Sequence, residues 1–366
     1  MAPKFRGDTE DWLDSDQSGR RAESSAGRRK KTGNVAEGLK PEEANATVAE
    51  VFPNQSRVRF DGTGHEALCR YRRANVWGHY RAQSEERLDE EAREKLLRVR
   101  ERAPVAVGDR VKAELIGGPQ SKDGVIEGVC RRRNRLVRPA PARDETILHV
   151  LAANVDVLVI VASVTAPEFT PGLVDRFLIA AATEGIEPIL VINKIDLLPV
   201  GAPRTWTNYQ ALGYQLIEVC AKTGAGLEKL QPLLLGKTVV FSGKSGVGKT
   251  SVLRKMTGMN DLRVGEVSDA TGKGRHTTTS ALLLPIRSEI LGGSAADRWI
   301  DTPGIREFGL LGVSLEKLRS FFPEFSGAGC ANSDCLHMEE EGCAVKTMSR
   351  YESYRRIYQS LASGEN

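Results

Sequence analysis

The sequence predicts an α/β protein in which a parallel sheet lies between a small β-barrel and a helical C-terminal segment. Short strand-like runs separated by turn residues fill 46–142, a pattern typical of barrels. Continuous apolar runs that end in polar or Gly-rich loops fill 143–312, and such runs are typical of buried parallel strands. Helical sequence interrupted by a cysteine–histidine cluster fills 313–366. We therefore expect three domains.

The composition narrows the class of protein. A chain of 366 residues is long enough for two or three compact units, and its 52 basic and 48 acidic residues nearly cancel. No apolar stretch approaches the roughly 20 residues that span a bilayer, and the N-terminus lacks the apolar core of a signal peptide. Six cysteines, three of them clustered, favour a reduced compartment, so we expect a cytoplasmic protein with no membrane partner.

The N-terminal part divides into a tail and the predicted barrel. Residues 1–45 hold few large apolar side chains and include a basic run, so we expect a disordered basic tail. The barrel strands are the runs TVAEVF, RVRF, ALCRYR, RVKAEL and GVIEGV. Between them, residues 84–102 carry apolar residues at helical spacing on a charged background, which predicts one inserted amphipathic helix.

Four apolar runs predict the parallel sheet. They are VDVLVIVASV (155–164), EPILVINKID (187–196), YQLIEVCA (214–221) and TVVFSGKSG (238–246). Because ligands bind at the carboxyl ends of the strands in such a sheet, the polar residues that end these runs are candidate binding residues.

The loop after the last run matches the phosphate-binding pattern G-x-x-x-x-G-K-[ST]. It comprises Gly243, Lys244, Ser245, Gly246, Val247, Gly248, Lys249 and Thr250, and Ser251 follows on a predicted helix. Backbone N–H groups of such a loop surround the β-phosphate, while Lys249 reaches the β- and γ-phosphates and the Thr250 hydroxyl ligates Mg²⁺. The alternative, an ordinary Gly-rich turn, does not account for the strand before the loop and the helix after it.

A second loop predicts the base that is bound. Asn193, Lys194, Ile195 and Asp196 form an N-K-x-D loop at the end of the run EPILVI. The Asp196 carboxylate can accept hydrogen bonds from N1–H and the 2-amino group of guanine, a pair that adenine does not offer. Lys194 would pack along the base and tie the loop to the phosphate loop. A weaker match, to the S-A-K loop that contacts the guanine carbonyl, is Cys220-Ala221-Lys222.

Two downstream segments match the parts of a guanine-nucleotide site that respond to the γ-phosphate. In the loop Asp301-Thr302-Pro303-Gly304, Asp301 would hold Mg²⁺ through water and the Gly304 amide would meet the γ-phosphate. The segment GKGRHTTT (272–279) is the candidate first switch, where one threonine, assigned as Thr278, would ligate Mg²⁺ when GTP is bound. The alternative for this segment is a plain polar loop.

The order of these motifs is permuted. In an ordinary small GTPase the phosphate loop comes first and the guanine loop last, whereas here the guanine loop begins at 193 and the phosphate loop at 243. This order indicates a circularly permuted P-loop GTPase domain, which a parallel sheet tolerates when the old termini lay close together.

The chain resembles the RsgA (YjeQ/EngC) family of small ribosomal subunit biogenesis GTPases. The resemblance rests on the permuted order together with the motifs NKID, GKSGVGKTS, GRHTTT, DTPG and C-x₄-C-x-H-x₅-C. The resemblance implies an N-terminal OB-fold, the permuted GTPase domain and a C-terminal zinc domain. It also implies binding of GTP and GDP, contact with the small (30S) subunit and its 16S rRNA late in maturation, subunit-stimulated hydrolysis, and release on hydrolysis. The tail 1–45 and the helix 84–102 depart from the family's pattern.

A metal site is predicted in the C-terminal segment. Cys330, Cys335, His337 and Cys343 supply three thiolates and one imidazole within fourteen residues, the ligand set of a closed, structural Zn²⁺ site. Four protein ligands leave no position for water, so we assign this zinc no catalytic role. The alternative is a set of unconnected buried cysteines and a surface histidine.

The motifs leave open which residue orients the attacking water. The position after D-x-x-G, often a glutamine, is Ile305, which cannot form a hydrogen bond. His276 lies in the candidate switch, and the family resemblance implies a catalytic role for a histidine there. The residues assigned to catalysis are His276, Lys249, Asp301 and Gly304. The alternative for His276 is a role in stabilising the loop.

The basic run CRRRNRLVRP is the candidate RNA-binding surface of the barrel, because OB-folds bind nucleic acids with such surfaces. Its arginines are Arg131, Arg132, Arg133, Arg135 and Arg138. The alternative is a solvated basic surface. A different function also stays open, a nucleotide-gated RNA-binding switch in which hydrolysis is incidental.

The chain path predicts how the domains respond to nucleotide. Asp301 is followed within about 30 residues by the cysteine–histidine cluster, whereas the barrel joins the sheet through 143–154, away from both switches. We therefore expect a monomer in which the nucleotide state repositions the zinc domain more than the barrel.

Overall fold

Fourteen strands and six α-helices follow one another in the described part of the chain. A computed structural model describes residues 39–72, 100–101, 104–139, 147–259, 281–285, 297–302, 310, 313–332 and 334–363, all within one compact unit. The strands are β1 (Ala46–Val51), β2 (Gln55–Phe60), β3 (Glu66–Tyr71), β4 (Arg100–Glu101), β5 (Arg110–Leu115), β6 (Asp123–Val129), β7 (Arg135–Pro139), β8 (Ile147–Ala153), β9 (Val157–Ser163), β10 (Glu187–Asn193), β11 (Gln215–Glu218), β12 (Thr238–Ser242), β13 (Leu282–Leu283) and β14 (Arg298–Asp301). The helices are α1 (Pro171–Thr183), α2 (Thr207–Ala211), α3 (Leu227–Leu234), α4 (Lys249–Thr257), α5 (Leu315–Leu318) and α6 (Tyr351–Ser363).

The N-terminal strands close into a five-stranded, OB-like barrel in the order β1–β2–β3–β6–β5. Strands β3 and β6 pair in parallel, and the other neighbours are antiparallel. Alternate side chains point inward, as the two-residue period of a strand requires, and Val48, Val58, Cys69, Val111 and Ile126 fill the interior. The five runs that predicted the barrel are these five strands, so the barrel prediction is confirmed.

The first described residues, 39–45, differ from the prediction. Residues 39–45 belong to the predicted tail, yet the structure places them against the barrel. The Asn45 side chain exchanges two hydrogen bonds of 2.9 Å with the backbone of Ala113, and Leu39 forms a bridge with Cys130. These long-range partners order a segment whose composition alone predicts disorder.

The inserted helix predicted for 84–102 falls mostly outside the described residues. Its described members, Arg100 and Glu101, form strand β4 instead of helix, because they pair in parallel with Ile147 and Leu148 of β8. A backbone partner distant in sequence therefore overrides the local helical periodicity at this end of the segment.

A six-stranded sheet forms the centre of the molecule, in the order β11–β10–β9–β12–β14–β13. All neighbours are parallel except β13, which runs antiparallel to β14 at the edge. Apolar side chains cover both faces, with Phe177 of α1 in one core and Leu230 of α3 and Val252 of α4 in the other. The four predicted parallel runs are β9 to β12, which confirms the α/β fold class.

A three-stranded sheet, β4–β8–β7, joins the barrel to the central sheet. The Asn134 side chain exchanges two hydrogen bonds of 2.8 Å with the backbone of Val155, and Asn154 Nδ2 donates to the Gly108 carbonyl at 3.1 Å. Strand β8 was not predicted, since the sequence assigned 143–154 only to a linker. The junction is therefore a hydrogen-bonded sheet.

The C-terminal segment packs on α1 through aromatic rings. The ring centroids of Phe322 and Phe325 lie 5.0 Å apart, and each lies 5.2 Å from that of Tyr354. These side chains share one apolar cluster with Phe177 of α1. None of the helices in the described residues is long and apolar enough to cross a membrane.

Arg350 lies in the middle of this apolar contact. It is 2% exposed, and its Nε donates to Asp175 of α1 at 2.9 Å. A second carboxylate, that of Glu324, lies 3.1 Å away, and the guanidinium stacks 4.6 Å from the ring centre of Phe322. The charge is therefore buried against two carboxylates, and the pair with Asp175 ties the segment to α1.

Candidate functional site

The predicted ligand-binding loops lie at one edge of the central sheet. The guanine loop follows β10, the Cys220 loop follows β11, the phosphate loop follows β12, and Asp301 ends β14. Because these strands are parallel, their carboxyl ends meet at the same edge. The position of each loop depends on which strands are neighbours in the sheet and not on their order along the chain. The permuted order therefore does not separate the motifs.

The phosphate loop has a backbone that requires glycine at two positions. Gly243 has φ 148°, and a Cβ there would lie 2.1 Å from the carbonyl oxygen of Val161 in β9. Gly248 has φ 95°, and a Cβ there would lie 2.3 Å from Nδ2 of Asn193. Gly248 also caps the N-terminus of α4, where free N–H groups and the helix dipole favour an anion.

Lys249 lies buried beneath this loop. Its Nζ donates to the carbonyl oxygens of Gly243 at 2.8 Å and Lys244 at 3.4 Å. Burial lowers the pKa of the ammonium, and the neighbouring Asp301 carboxylate acts in the opposite direction. A bound phosphate would supply a strong charge partner for this cation, so its position fits the predicted role.

Asn193 holds three loops together. Its Oδ1 accepts a hydrogen bond from the N–H of Ala221 at 3.0 Å, and its Nδ2 donates to the Val247 carbonyl at 2.9 Å. The first contact joins the guanine loop to the Cys220 loop, and the second joins it to the phosphate loop. The base-reading and phosphate-binding residues are therefore held at a fixed separation.

The two residues predicted to surround the base are also tied to their neighbours. Lys194 Nζ donates to the Gly246 carbonyl at 2.8 Å and to the Ala166 carbonyl. Cys220 Sγ donates to Oδ1 of Asp196 at 3.2 Å, which orients a carboxylate that is otherwise exposed. The predicted S-A-K-like loop thus contacts the predicted guanine-reading residue through its thiol and contacts Asn193 through its backbone.

Sequence reasoning missed Ala166 as part of this site. Its carbonyl holds Lys194, and it lies in the loop after β9, between the guanine and phosphate loops in space. The available signal was its place after a buried parallel strand, where site loops are found.

Asp301 faces Lys249 from the end of β14. Its side chain is 6% exposed, and its Oδ1 has no hydrogen-bond partner in the part of the chain that the structure describes. Burial raises the pKa of this carboxyl to about 7, and Lys249 acts against that shift. A divalent cation would supply the missing partner and favour the charged carboxylate, so the site fits Mg²⁺.

Three predicted site residues, His276, Thr278 and Gly304, lie outside the described residues. Their assignments stay predictions. The other predicted nucleotide-binding side chains that have not been placed above lie at the mouth of the site, exposed or half-buried: Lys222, Ser245, Thr250, Ser251 and Ile195.

The cysteine–histidine cluster forms a second site. The ligand atoms of Cys330, Cys335, His337 and Cys343 all lie within 4.8 Å of one another. Nδ1 of His337 lies 3.6 Å from Sγ of Cys330 and 3.5 Å from Sγ of Cys343. Tetrahedral zinc bonds of about 2.3 Å to sulfur and about 2.0–2.1 Å to nitrogen separate the two atom types by about 3.5 Å. The cluster can therefore hold a metal ion through the Nδ1 atom of His337. The sequence alone does not decide between Nδ1 and Nε2.

The basic run does not present all its arginines to solvent. Arg132 is 9% exposed and forms two hydrogen bonds of 2.8 Å with buried Asp109. Arg133 is exposed but pairs with Asp156 at 2.9 Å, at the junction with the central sheet. Arg132 thus stabilises the barrel interior, since its loss would leave Asp109 buried without a charge partner. Arg131 is exposed, and Arg135 and Arg138 are half-buried.

Comparison with known proteins decides the family. A family model described as RsgA GTPase matches residues 129–311. The chain belongs to the RsgA GTPase family. As a member it is a GTPase.

Curated relatives of this RsgA-family GTPase come from several bacteria. The small ribosomal subunit biogenesis GTPase RsgA 1 of Vibrio vulnificus (strain YJ016) is 39% identical over 256 residues, covering 66% of this chain and 70% of the relative. The small ribosomal subunit biogenesis GTPase RsgA of Chlorobaculum tepidum is 39% identical over 273 residues, covering 70% of this chain and 86% of the relative.

Solved structures of RsgA-like proteins share the fold. YjeQ from Thermotoga maritima is 28% identical with a TM-score of 0.55, covering 87% of this chain and 98% of that one. YloQ, a circularly permuted GTPase, is 22% identical with a TM-score of 0.57, covering 88% and 96%. These likenesses confirm the permuted fold predicted from the order of the motifs.

Proposed function

We propose that this GTPase acts late in the maturation of the small (30S) ribosomal subunit, binds its 16S rRNA, and leaves when GTP is hydrolysed. The observation that carries the proposal is Asn193, which ties the guanine loop to the phosphate loop in a chain that also forms a β-barrel and a cysteine–histidine cluster. Relatives with about 39% identity are themselves small ribosomal subunit biogenesis GTPases. Such a function also places the protein, as a monomer, in the cytoplasm.

Base choice in this proposal depends on Asp196. Its carboxylate is exposed at the site and oriented by Cys220, so it can accept both hydrogen bonds of the guanine edge. We expect Asp196→Asn to weaken GTP binding by two orders of magnitude or more, because the site then presents an amide to N1–H. The variant should gain affinity for xanthosine nucleotides. Equal affinity of the unaltered protein for ATP and GTP would exclude this assignment.

Magnesium in this proposal is held by Thr250, Asp301 and Thr278, with Asp301 acting through water. The Oδ1 of Asp301, which has no hydrogen-bond partner among the described residues, and its position opposite Lys249 support this assignment. Bound Mg²⁺ would neutralise charge on the phosphates during hydrolysis. The residues of this chain then orient the nucleotide, with Lys249 and the Gly304 amide on the γ-phosphate.

Zinc is the metal that we propose for the cysteine–histidine cluster. Three thiolates with one imidazole at tetrahedral spacing suit Zn²⁺, and four protein ligands favour a structural role. Elemental analysis of protein purified without added metal should find about one zinc per chain. Chelation should remove hydrogen-exchange protection from 325–345 first, since binding and local folding are coupled. Folded, metal-free protein would contradict the assignment.

Hydrolysis in this proposal depends on His276 and on the ribosomal subunit. Ile305 cannot orient water, so we assign that task to His276, brought into position when the subunit binds. We expect His276→Ala to lose most subunit-stimulated turnover while GTP affinity stays nearly unchanged, the pattern of a lost transition-state contact. Lys249→Ala is the contrasting variant, because it should weaken phosphate binding itself.

The decisive experiment is GTP turnover with and without purified small subunits. Stimulated turnover supports a hydrolysis-driven assembly factor. Nucleotide-dependent binding without stimulation supports the alternative, a nucleotide-gated RNA-binding switch with incidental hydrolysis. In either case we propose that exposed arginines of the barrel, Arg131 and Arg133 foremost, contact RNA phosphates, so binding should weaken steeply with salt.

A further inference from the structure

Arg59 of the barrel donates hydrogen bonds to the backbone at the β13 side of the central sheet. From β2, Arg59 Nη1 donates to the carbonyl of Leu284 at 2.8 Å, and Nη2 donates to that of Leu283 at 3.3 Å. Glu66 accepts from Nε at 3.0 Å and from Nη2 at 2.7 Å, so the guanidinium is held in one orientation. This contact crosses from the barrel to the central sheet.

The carbonyl groups held by Arg59 belong to β13 and the residue after it, which pair with β14, the strand that ends at Asp301. Strand β13 pairs with β14 in a register that sets Leu282 opposite Asp301 and Leu283 opposite Ile300. Strand β13 is two residues long and, among the described strands, lies at the edge of the sheet. Arg59 therefore holds the chain directly after Leu282, the residue that pairs with Asp301.

A second barrel contact holds the first residue of β14, Arg298. Arg298 donates from Nε to the hydroxyl of Thr47 at 3.3 Å and lies 3.9 Å from the carboxylate of Asp61. Asp61 is in turn paired with Arg110 of β5. The barrel thus holds β14 directly at Arg298, and it holds the middle of β14 indirectly, through Leu283 and Leu284.

We infer that Arg59 is a positioning residue for Asp301, and that through it the barrel is coupled to the nucleotide state. The inference rests on the proposed role of Asp301 in holding Mg²⁺. Coupling of this kind is reciprocal: if Mg²⁺ and GTP displace β14, the barrel responds, and a partner bound to the barrel displaces Asp301. The covalent connection through 143–154 led us to expect that the barrel responds less to nucleotide than the zinc domain does. The non-covalent contact of Arg59 gives the barrel a second, more direct connection to β14.

The test compares Arg59→Met with Arg57→Met in the full chain. Methionine keeps an apolar stem and removes the donors. Arg57 lies two residues away on the same strand, but its pair with Glu50, at 3.2 Å, stays within the barrel. Three quantities are measured: the Mg²⁺ concentration for half-maximal hydrolysis, GDP affinity without Mg²⁺, and hydrogen exchange of 55–60 and 298–302 with GDP or a non-hydrolysable GTP analogue.

Arg59→Met should raise the Mg²⁺ midpoint roughly five-fold or more, within the usual range of coupling between sites. It should also abolish the nucleotide-dependent change in exchange of 55–60, while GDP affinity without Mg²⁺ stays unchanged. Arg57→Met should behave like the unaltered protein, and Arg59→Lys should recover part of the effect. If Arg59→Met folds poorly, Glu66→Gln, which frees the guanidinium, should shift the midpoint in the same direction.

Unchanged Mg²⁺ dependence together with an intact barrel response in Arg59→Met would overturn the inference. Failure of the proposed function looks different, because the unaltered protein would then lack guanine preference or subunit stimulation. Failure of the Asp301 assignment is also distinct, since Asp301→Asn would then keep the normal Mg²⁺ midpoint.

Discussion

The barrel and the C-terminal segment are both attached to the GTPase domain by an arginine, but the two arginines make different kinds of contact. Arg350 is 2% exposed, lies among aromatic rings, and crosses the boundary as a buried ion pair with Asp175. The side chain of Arg59 is 19% exposed and crosses its boundary through hydrogen bonds to backbone carbonyls. The barrel's own buried pair, Arg132 with Asp109, stays inside the barrel.

This difference indicates which of the two contacts can be broken and re-formed at low cost in free energy. Breaking a buried ion pair leaves a charge without compensation, so the C-terminal attachment is either formed or lost. Hydrogen bonds from a partly exposed guanidinium to carbonyls can be exchanged for bonds to water, with a small net change in free energy. We therefore expect the C-terminal segment to move together with the GTPase domain and the barrel to be the part that responds to the nucleotide state.

The largest expected effect comes from breaking the rigid attachment. Arg350→Met keeps most of the side-chain volume but leaves Asp175 buried without its partner. The free energy of unfolding should fall by about 3–5 kcal/mol, measured by urea denaturation of the metal-loaded protein. Hydrogen exchange should rise first across α6 and the aromatic cluster.

The matched control for that variant is Arg355→Ala on the solvent side of α6. Arg355 pairs only with exposed groups such as Glu352 among the described residues, and exposed pairs contribute little to stability. If Arg350→Met and Arg355→Ala show the same denaturation midpoint, the buried pair does not hold the segment.

A smaller effect is expected at the junction of the barrel. Gly108 has φ 90°, and a Cβ there would lie 2.4 Å from the carbonyl oxygen of Ala153 and 3.3 Å from Cδ1 of Ile300. Gly108→Ala should lower the free energy of unfolding by about 1–3 kcal/mol and raise hydrogen exchange in β8. In Gly62→Ala the φ of 72° is also positive, but no atom of the described residues lies within 4 Å of the added Cβ, so that variant isolates the backbone strain. Equal losses in the two variants would mean that the close approach to Ala153 costs nothing.

The smallest expected effect is a dependence of stability on pH that comes from the barrel residue Cys69. Burial, with a contribution from Asp123, raises the pKa of the Cys69 thiol to about 11, whereas an unfolded thiol ionises near pH 8.5. The stability that this raised pKa contributes is fully present below about pH 8.5 and is lost as the pH rises through about 11. The denaturation midpoint should fall over that range, and less so in Cys69→Ala. Equal pH dependence in both proteins would contradict the prediction.

Sequence reasoning reached furthest where one segment carries both the fold and the chemistry. The run TVVFS and the glycine pattern after it identify a buried strand, a loop that only glycine permits, and a phosphate site, all within about fifteen residues. Strands β8 and β13 were missed because their pairing partners, not their own residues, define them. The helix predicted across Arg100 and Glu101 was wrong there for the same reason.

The sequence by itself determined which groups are available: a carboxylate for guanine, a phosphate loop with its lysine, and three thiolates with an imidazole. Residue identity and short spacing suffice for these, because their chemistry is local. Only the tertiary structure decided that Arg132 is buried against Asp109, that Nδ1 of His337 faces the thiolates, and that Arg59 reaches Leu284, 225 residues along the chain. Such contacts depend on how distant surfaces pack, and the pattern of a single segment holds no information about its distant neighbour.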